Sequence, residues 1–166
     1  PAILHKSDVG GVKVGLKTEA EVKDAYREIL LNIERRTNNA SIVGILVASQ
    51  ASPGLECIVG MTSDPQFGPA LMFGLGGIFV EVLKDVSFRL LPISKEEAED
   101  MIKETKGYKL IQGIRGEKPK DFTALVDIIL KLSLLIEENP EIKELDLNPL
   151  FLYESGLQIV DARVLI

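Results

Sequence analysis

Three side chains near the end of the sequence have the types and spacing to hold a metal ion. In ELDLNPL, Asp146 and Asn148 stand two apart, so on a β-strand they point to one face while Leu145 and Leu147 point to the other. If the chain turns back at ESG (154–156), Asn148 comes roughly opposite Asp161 of IVDARV and their oxygens converge. Two carboxylates and an amide carbonyl on one face repel each other, or stay unsatisfied, when buried alone. A hard cation that prefers oxygen, Mg²⁺ above all, resolves the conflict by accepting a few protein oxygens and leaving its other positions to water and phosphate. The same spacing describes a solvent-facing polar strand edge, which is the more frequent arrangement. Position-by-position pairing separates the two.

At the other end, AILHKSDVGG carries His5, the single histidine of 166 residues. Imidazole is substantially neutral at physiological pH and can form covalent intermediates, so His5 could be a nucleophile or proton carrier. A solvated histidine near a chain end is the plainer alternative. Lys6 beside it could hold a phosphoryl group as a point charge. Arg115, in GIRGEKP, could grip an anion through two parallel hydrogen bonds, or be an ordinary turn arginine. DVGGVKVG and FGLGG match neither the Walker A loop nor the dinucleotide fingerprint. Glycine turns beside strands can nonetheless aim backbone amides at a phosphate. The one cysteine, Cys57 in CIVGM, reads as a small buried apolar side chain.

These residues need elements to hold them. TEAE (18–21) forms a capping box ahead of Val22, Ala25, Tyr26, Ile29, Leu30 and Ile33 at helical spacing, and ERRTNN ends that helix. IVGILVAS (42–49) and CIVGMT (57–62), joined by the Pro-Gly turn of QASPGLE, predict an antiparallel pair. SDPQFGP leads tightly into ALMF, and GLGG separates that strand from IFVEVL and VSFRLLPI. A second helix starts at Ser94 with Glu97 as its capping partner and stops at Gly107. Asp121 caps a long helix to about Glu138, which Asn139 and Pro140 terminate. IKELDLNPLFLY and LQIVDARVLI then form a final hairpin. Strands grouped in antiparallel sets, rather than alternating with helices, predict an α+β fold. With no repeat or linker, 1–166 reads as one compact domain.

The net charge of −6 offers no general attraction to phosphate backbones or anionic membranes, so neither nucleic acid nor membrane is an expected partner. A lone cysteine permits no internal disulfide and suits a reducing cytoplasm. The apolar runs fall well short of the roughly 20 residues that span a bilayer, and no basic stretch with a following apolar segment begins the sequence, which predicts a soluble protein that is not exported.

Taken jointly and in order, HKSDVGGVKVGL, ECIVGMTSDPQFGPALMFGLGGIFVEVLKD, IRGEKPKDF and LDLNPL…VDARV resemble the ATP-grasp β subunit of the ADP-forming acyl-CoA (acetyl-CoA) synthetases, relatives of succinyl-CoA synthetase. The resemblance covers essentially the whole chain. It implies an ATP-grasp fold of antiparallel sheets with flanking helices, and an enzyme that interconverts acyl-CoA, ADP and phosphate with free acid, CoA and ATP. It implies a partner, a CoA-binding α subunit that is a separate chain or a fused domain, in an αβ or (αβ)₂ assembly.

The resemblance further implies that His5 is a phosphoryl carrier, and that Lys6, Ser7, Gly10 and Gly11 lie in the loop over the nucleotide phosphates. Glu56 matches a nucleotide-contacting acid, Asn148 and Asp161 match Mg²⁺ ligands, and Asp146 is a nearby acidic support. LVAS (46–49) matches the hinge that holds adenine by backbone groups, although Val47-Ala48-Ser49-Gln50 departs from the family's Val-Gln-x-Met. The fold normally begins some tens of residues earlier, so the chain, which opens at Pro1, reads as the larger part of an ATP-grasp domain without its N-terminal subdomain. Two alternatives stay open: a non-catalytic regulatory or interaction module, as in fusions with an acetyltransferase, and an ATP-grasp enzyme joining a carboxylate to an amine.

Overall fold

The computed structural model describes residues 10–36, 42–114 and 116–166, apart from the side chains of Ile78 and Glu81. The chain forms two compact units, Pro1–Gln50 and Ala51–Ile166.

In the first unit, Thr18 and Glu21 close the expected capping box (Glu21 N–H to Thr18 Oγ1 at 3.2 Å, Thr18 N–H to Glu21 Oε2 at 3.2 Å) and start α1 (Glu19–Arg36). Its buried stripe is Ala25, Ile29 and Ile33, one residue per turn. Residues 42–50 carry no strand, and Val43, Leu46 and Val47 are exposed, so the predicted antiparallel pair of 42–49 with 57–62 is not formed.

The physical reason lies in the second unit, where both edges of β1 (Leu55–Asp64) are already hydrogen-bonded. One edge takes β2 (Gly68–Leu75) and the other takes β4 (Glu144–Leu152), both antiparallel. The sheet runs β3-β2-β1-β4-β5, with β3 at Val86–Leu90 and β5 at Leu157–Ile159; β6 (Ala162–Leu165) also pairs with β4. The β1–β2 turn closes on Asp64 Oδ1, which accepts from the N–H groups of Gln66 and Phe67 at 2.7 and 2.9 Å.

At IFVEVL, which the sequence set apart from the preceding strand, Gly76 and Gly77 turn the chain and Ile78–Glu81 form one helical turn, α2. The second helix is shorter than its expected end at Gly107: α3 runs Lys95–Lys103, and α4 (Tyr108–Ile111) is separate. The break has a cause. Asp85 is buried and takes the N–H groups of Lys106 and Gly107 at 2.9 and 2.8 Å, which diverts both from helical bonding. Ser94 and Glu97 make both halves of their capping box.

Helix α5 (Phe122–Glu138) starts and stops where expected, with Asp121 Oδ1 accepting from Ala124 N–H at 3.0 Å. It buries Leu125, Ile129, Leu132 and Ile136, which with Met101 and Ile102 of α3 cover one face of the sheet. The sheet's share of that core is Cys57, Val59 and Met61, then Leu71, Phe73 and Leu75, then Leu145, Leu147, Leu150 and Leu152. Each fully buried leucine or isoleucine contributes about 1.5–3 kcal/mol relative to exposure. Between Leu147 and Leu150 the spacing of core residues changes from two to three. A β-bulge sets Asn148 and Pro149 against the single residue Ile58, so Leu150 and Leu152 return to the core face. Among the described residues no helix is long and apolar enough to cross a membrane.

Candidate functional site

With the helices packed on one face, the alternate residues of the strands point to the other. On β1 these include Glu56 and Gly60, and on β4 they include Asp146, which stands opposite Gly60. A Cβ placed on Gly60 would lie 3.8 Å from Asp146 Oδ1, which puts that carboxylate over the glycine.

The final hairpin supplies the rest. Ladder pairs Leu150↔Ile159 and Leu147↔Ala162 bracket Asn148 and Asp161, which therefore stand directly opposite each other, and Asn148 N–H donates to the Asp161 carbonyl at 3.1 Å. Asp146 stands opposite Arg163 in the same ladder. Four polar residues thus share one patch of the sheet: Asp146, Asn148, Asp161 and Arg163.

The electrostatics agree with that proximity. Asp146 is half-buried, and desolvation holds its carboxyl above the ordinary value, with the Asp161 charge pushing the same way. The Asn148 side-chain amide and the Arg163 cation pull it back. Asp161 is exposed, and its Oδ1 accepts from Ala162 N–H at 3.0 Å. Among the described residues no group of three or more His, Cys, Asp or Glu side chains gathers as a metal cluster, so the donor set here is two carboxylates and an amide oxygen. An all-oxygen set of this kind fits a hard cation that keeps several positions for water and phosphate. A cation between them would also relieve the push of the Asp161 charge on the Asp146 carboxyl.

Glu56 lies on the same face, four residues along β1 from Gly60, or about 13 Å. Its backbone carbonyl accepts from Gly76 N–H at 2.8 Å. Gly10 and Gly11 belong to the first unit, where Asn32 Nδ2 donates to the Gly10 carbonyl at 3.4 Å and Gly10 has φ +69°. His5, Lys6, Ser7 and Arg115 lie outside the described residues. Cys57 is fully buried and burial pushes its thiol up to about 12, so it stays protonated at neutral pH as an apolar side chain.

Sequence reasoning assigned no task to Arg163, although the signal was there. It stands two residues after Asp161 in VDARV, hence on the same strand face. Among the described residues its guanidinium joins no ion pair, which leaves its donors available to an anion beside the two carboxylates.

A family profile described as an ATP-grasp domain matches residues 1–166. The chain is 52% identical over 166 residues, all of its own length and 72% of the relative's, to the β subunit of ADP-forming acetate–CoA ligase I of Pyrococcus furiosus. It is 50% identical to ADP-forming acetate–CoA ligase I of Archaeoglobus fulgidus, of which it spans 24%. Among solved structures it resembles, with TM-score 0.88 and 51% identity over 100% of this chain and 72% of the other, the selenomethionine derivative of the dinucleotide-forming acetyl-coenzyme A synthetase 1 of Candidatus Korarchaeum cryptofilum. That structure is a complex with coenzyme A and Mg-AMPPCP, its phosphohistidine segment pointing towards the nucleotide-binding site.

Proposed function

This chain belongs to the ATP-grasp domain family, and on that premise we propose that it is the nucleotide-binding part of an ADP-forming acyl-CoA ligase. The reaction is acyl-CoA, ADP and phosphate to free acid, CoA and ATP, reversibly, with a phosphoryl group passing through histidine to ADP. The observation that carries the reading is the likeness, along its entire length, to a β subunit of that enzyme class. The oxygen set of Asn148, Asp161 and Asp146 on one strand face supports it independently of any likeness.

Asn148 and Asp161 would hold Mg²⁺, with Asp146 in support. The ion when bound supplies positive charge to the nucleotide phosphates and helps bring the attacking and leaving oxygens into line. The other assignments concern the chain's own groups. His5 accepts and releases the phosphoryl group at a neutral imidazole nitrogen. Lys6, Ser7, Gly10 and Gly11 cover the phosphates with a side-chain cation and backbone N–H groups. Glu56 holds the nucleotide further along the sheet, and Arg115 grips an anion in two-point fashion.

The partner is a CoA-binding α subunit, separate or fused. The relatives accord with both arrangements, since the chain spans most of a β subunit in one and about a quarter of a longer ligase in the other. The assembly is αβ or (αβ)₂, working in the cytoplasm.

The test is ADP- and phosphate-dependent release of CoA from acetyl-CoA by the complete subunit with its α partner, together with titration of ADP with and without Mg²⁺. Replacing Asn148 and Asp161 together (N148A, D161N) should remove the Mg²⁺-dependent part of ADP affinity and the turnover. ADP affinity indifferent to Mg²⁺ and to both substitutions would refute the site. A wild-type complex without turnover would refute the activity.

A further inference from the structure

The motif FGLGG (73–77) matches no phosphate-loop signature, yet its last two glycines have a specific neighbour. Cys57↔Leu75 is the final pair of the β1–β2 ladder, and one step further on Gly76 N–H donates to the Glu56 carbonyl at 2.8 Å. A Cβ on Gly76 would stand 2.7 Å from Glu56 Cβ, 3.4 Å from its carbonyl carbon and 3.2 Å from its Oε2. The closest of these atoms, the Glu56 Cβ at 2.7 Å, is fixed by the backbone, so no rotation of the glutamate side chain relieves that overlap.

Gly77 follows with φ +61°, and a Cβ there would stand 3.9 Å from the same Oε2. On its other side Glu56 is flanked by Phe151 of β4.

The two glycines do different jobs. Gly77 has the left-handed backbone that the turn requires, whereas Gly76 has an ordinary negative φ that any residue could adopt. What Gly76 supplies is space, and the occupant of that space is Glu56. Among the described residues the Glu56 carboxylate joins no ion pair. It is exposed on the sheet face that also carries Asp146, about 13 Å away along β1. A carboxylate so placed, and paired with no cation among the described residues, is an acceptor a ligand can use.

We propose that Gly76 is a positioning residue: by lacking a Cβ it lets Glu56 lie against the glycine turn, aimed at the nucleotide's own hydroxyl or amine donors. The inference rests on the reading of Glu56 as a nucleotide contact. Its effect is on binding, so it belongs in KM for ADP and not in kcat.

The experiment uses the full-length subunit with its α partner and compares wild type, Glu56→Gln, Gly76→Ala and the double variant. MgADP affinity is measured by calorimetry, KM and kcat by turnover, and Tm by thermal melting. Glu56→Gln should weaken MgADP binding about tenfold, the loss of a charge-assisted hydrogen bond. Gly76→Ala should weaken it by a similar factor, with kcat within about twofold of wild type. In the Glu56→Gln background Gly76→Ala should add less than about twofold in affinity while lowering Tm as much as it does alone, a separation that a merely structural role would not produce.

If Glu56→Gln leaves affinity unchanged, the reading of Glu56 is wrong. If Glu56→Gln acts but Gly76→Ala does not, or the two effects multiply, Glu56 stands and the positioning role falls. Should Gly76→Ala fail to fold, Glu56→Asp serves: it keeps the charge and withdraws the oxygens by one methylene from the turn. It should bind MgADP about as weakly as Glu56→Gln, and full affinity would overturn the proposal.

Discussion

Removing the carboxylate of Asp121 should cost the second unit a large part of its stability, because this one side chain joins two elements. Its Oδ1 caps α5 through Ala124 N–H at 3.0 Å, and its Oδ2 accepts from Gly156 N–H at 2.7 Å. Gly156 lies in the turn between β4 and β5, whose own closure is Tyr153 N–H to the Gly156 carbonyl at 3.1 Å, and Asp121 N–H returns to the Tyr153 carbonyl at 2.8 Å. For Asp121→Ala, loss of an N-cap costs about 1 kcal/mol, and loss of a hydrogen bond to a charged acceptor about 2 kcal/mol. The sum of about 3 kcal/mol lowers Tm by roughly 6–12 °C for a domain of this size.

The pH dependence has a definite sign. The Gly156 and Ala124 N–H groups hold the Asp121 carboxyl below its ordinary value. The stabilisation is therefore complete above the ordinary aspartate pKa of about 3.9 and is lost as pH falls through the lower folded value. Thermal melts of wild type and Asp121→Ala between pH 7 and pH 3 should show a gap that is constant near neutrality and closes in acid. A variant melting within about 1 °C of wild type at pH 7, or a gap indifferent to acid, would refute the account of Asp121 as a clamp.

Other consequences follow from single residues. Leu150→Ala, at a fully buried core position, should cost about 3 kcal/mol by denaturant unfolding with no change in m-value. Without Mg²⁺, carboxyl NMR titration should find the Asp146 pKa lowered by Asp161→Asn, which removes a like charge, and raised further by Arg163→Met, which removes the compensating cation. With Mg²⁺ and ADP present, Arg163→Met should also weaken ADP binding, read by calorimetry, if its guanidinium meets an anion there. Cys57 should resist alkylation at pH 8 in the folded protein and react on unfolding, as a buried thiol pushed up to about 12 requires.

How far each feature could be read from the sequence follows how distant its deciding contact is. The ends of α5 and the start of α3 depend on caps within four residues, Asp121 with Ala124 and Ser94 with Glu97, and both were legible. The lower end of α3 was not, because Asp85, some twenty residues earlier, takes the N–H groups of Lys106 and Gly107. The apolar run at 42–49 carries no local sign that both edges of β1 are filled, one of them by a strand nearly ninety residues on. The meeting of Asn148 with Asp161 was legible for the opposite reason: a single turn at 154–156 determines it, and alternation does the rest.

Within the same hairpin the sequence held one further signal, the change from two-residue to three-residue spacing in L-D-L-N-P-L-F-L. Strict alternation from Asp146 would carry Leu150 onto the polar face. The extra residue at Asn148–Pro149 is what lets one strand present an oxygen site on one side and keep four leucines in the core on the other. By that reasoning the bulge belongs to the site as much as its ligands do, since removing one residue there would send either the leucines or the oxygens to the wrong face.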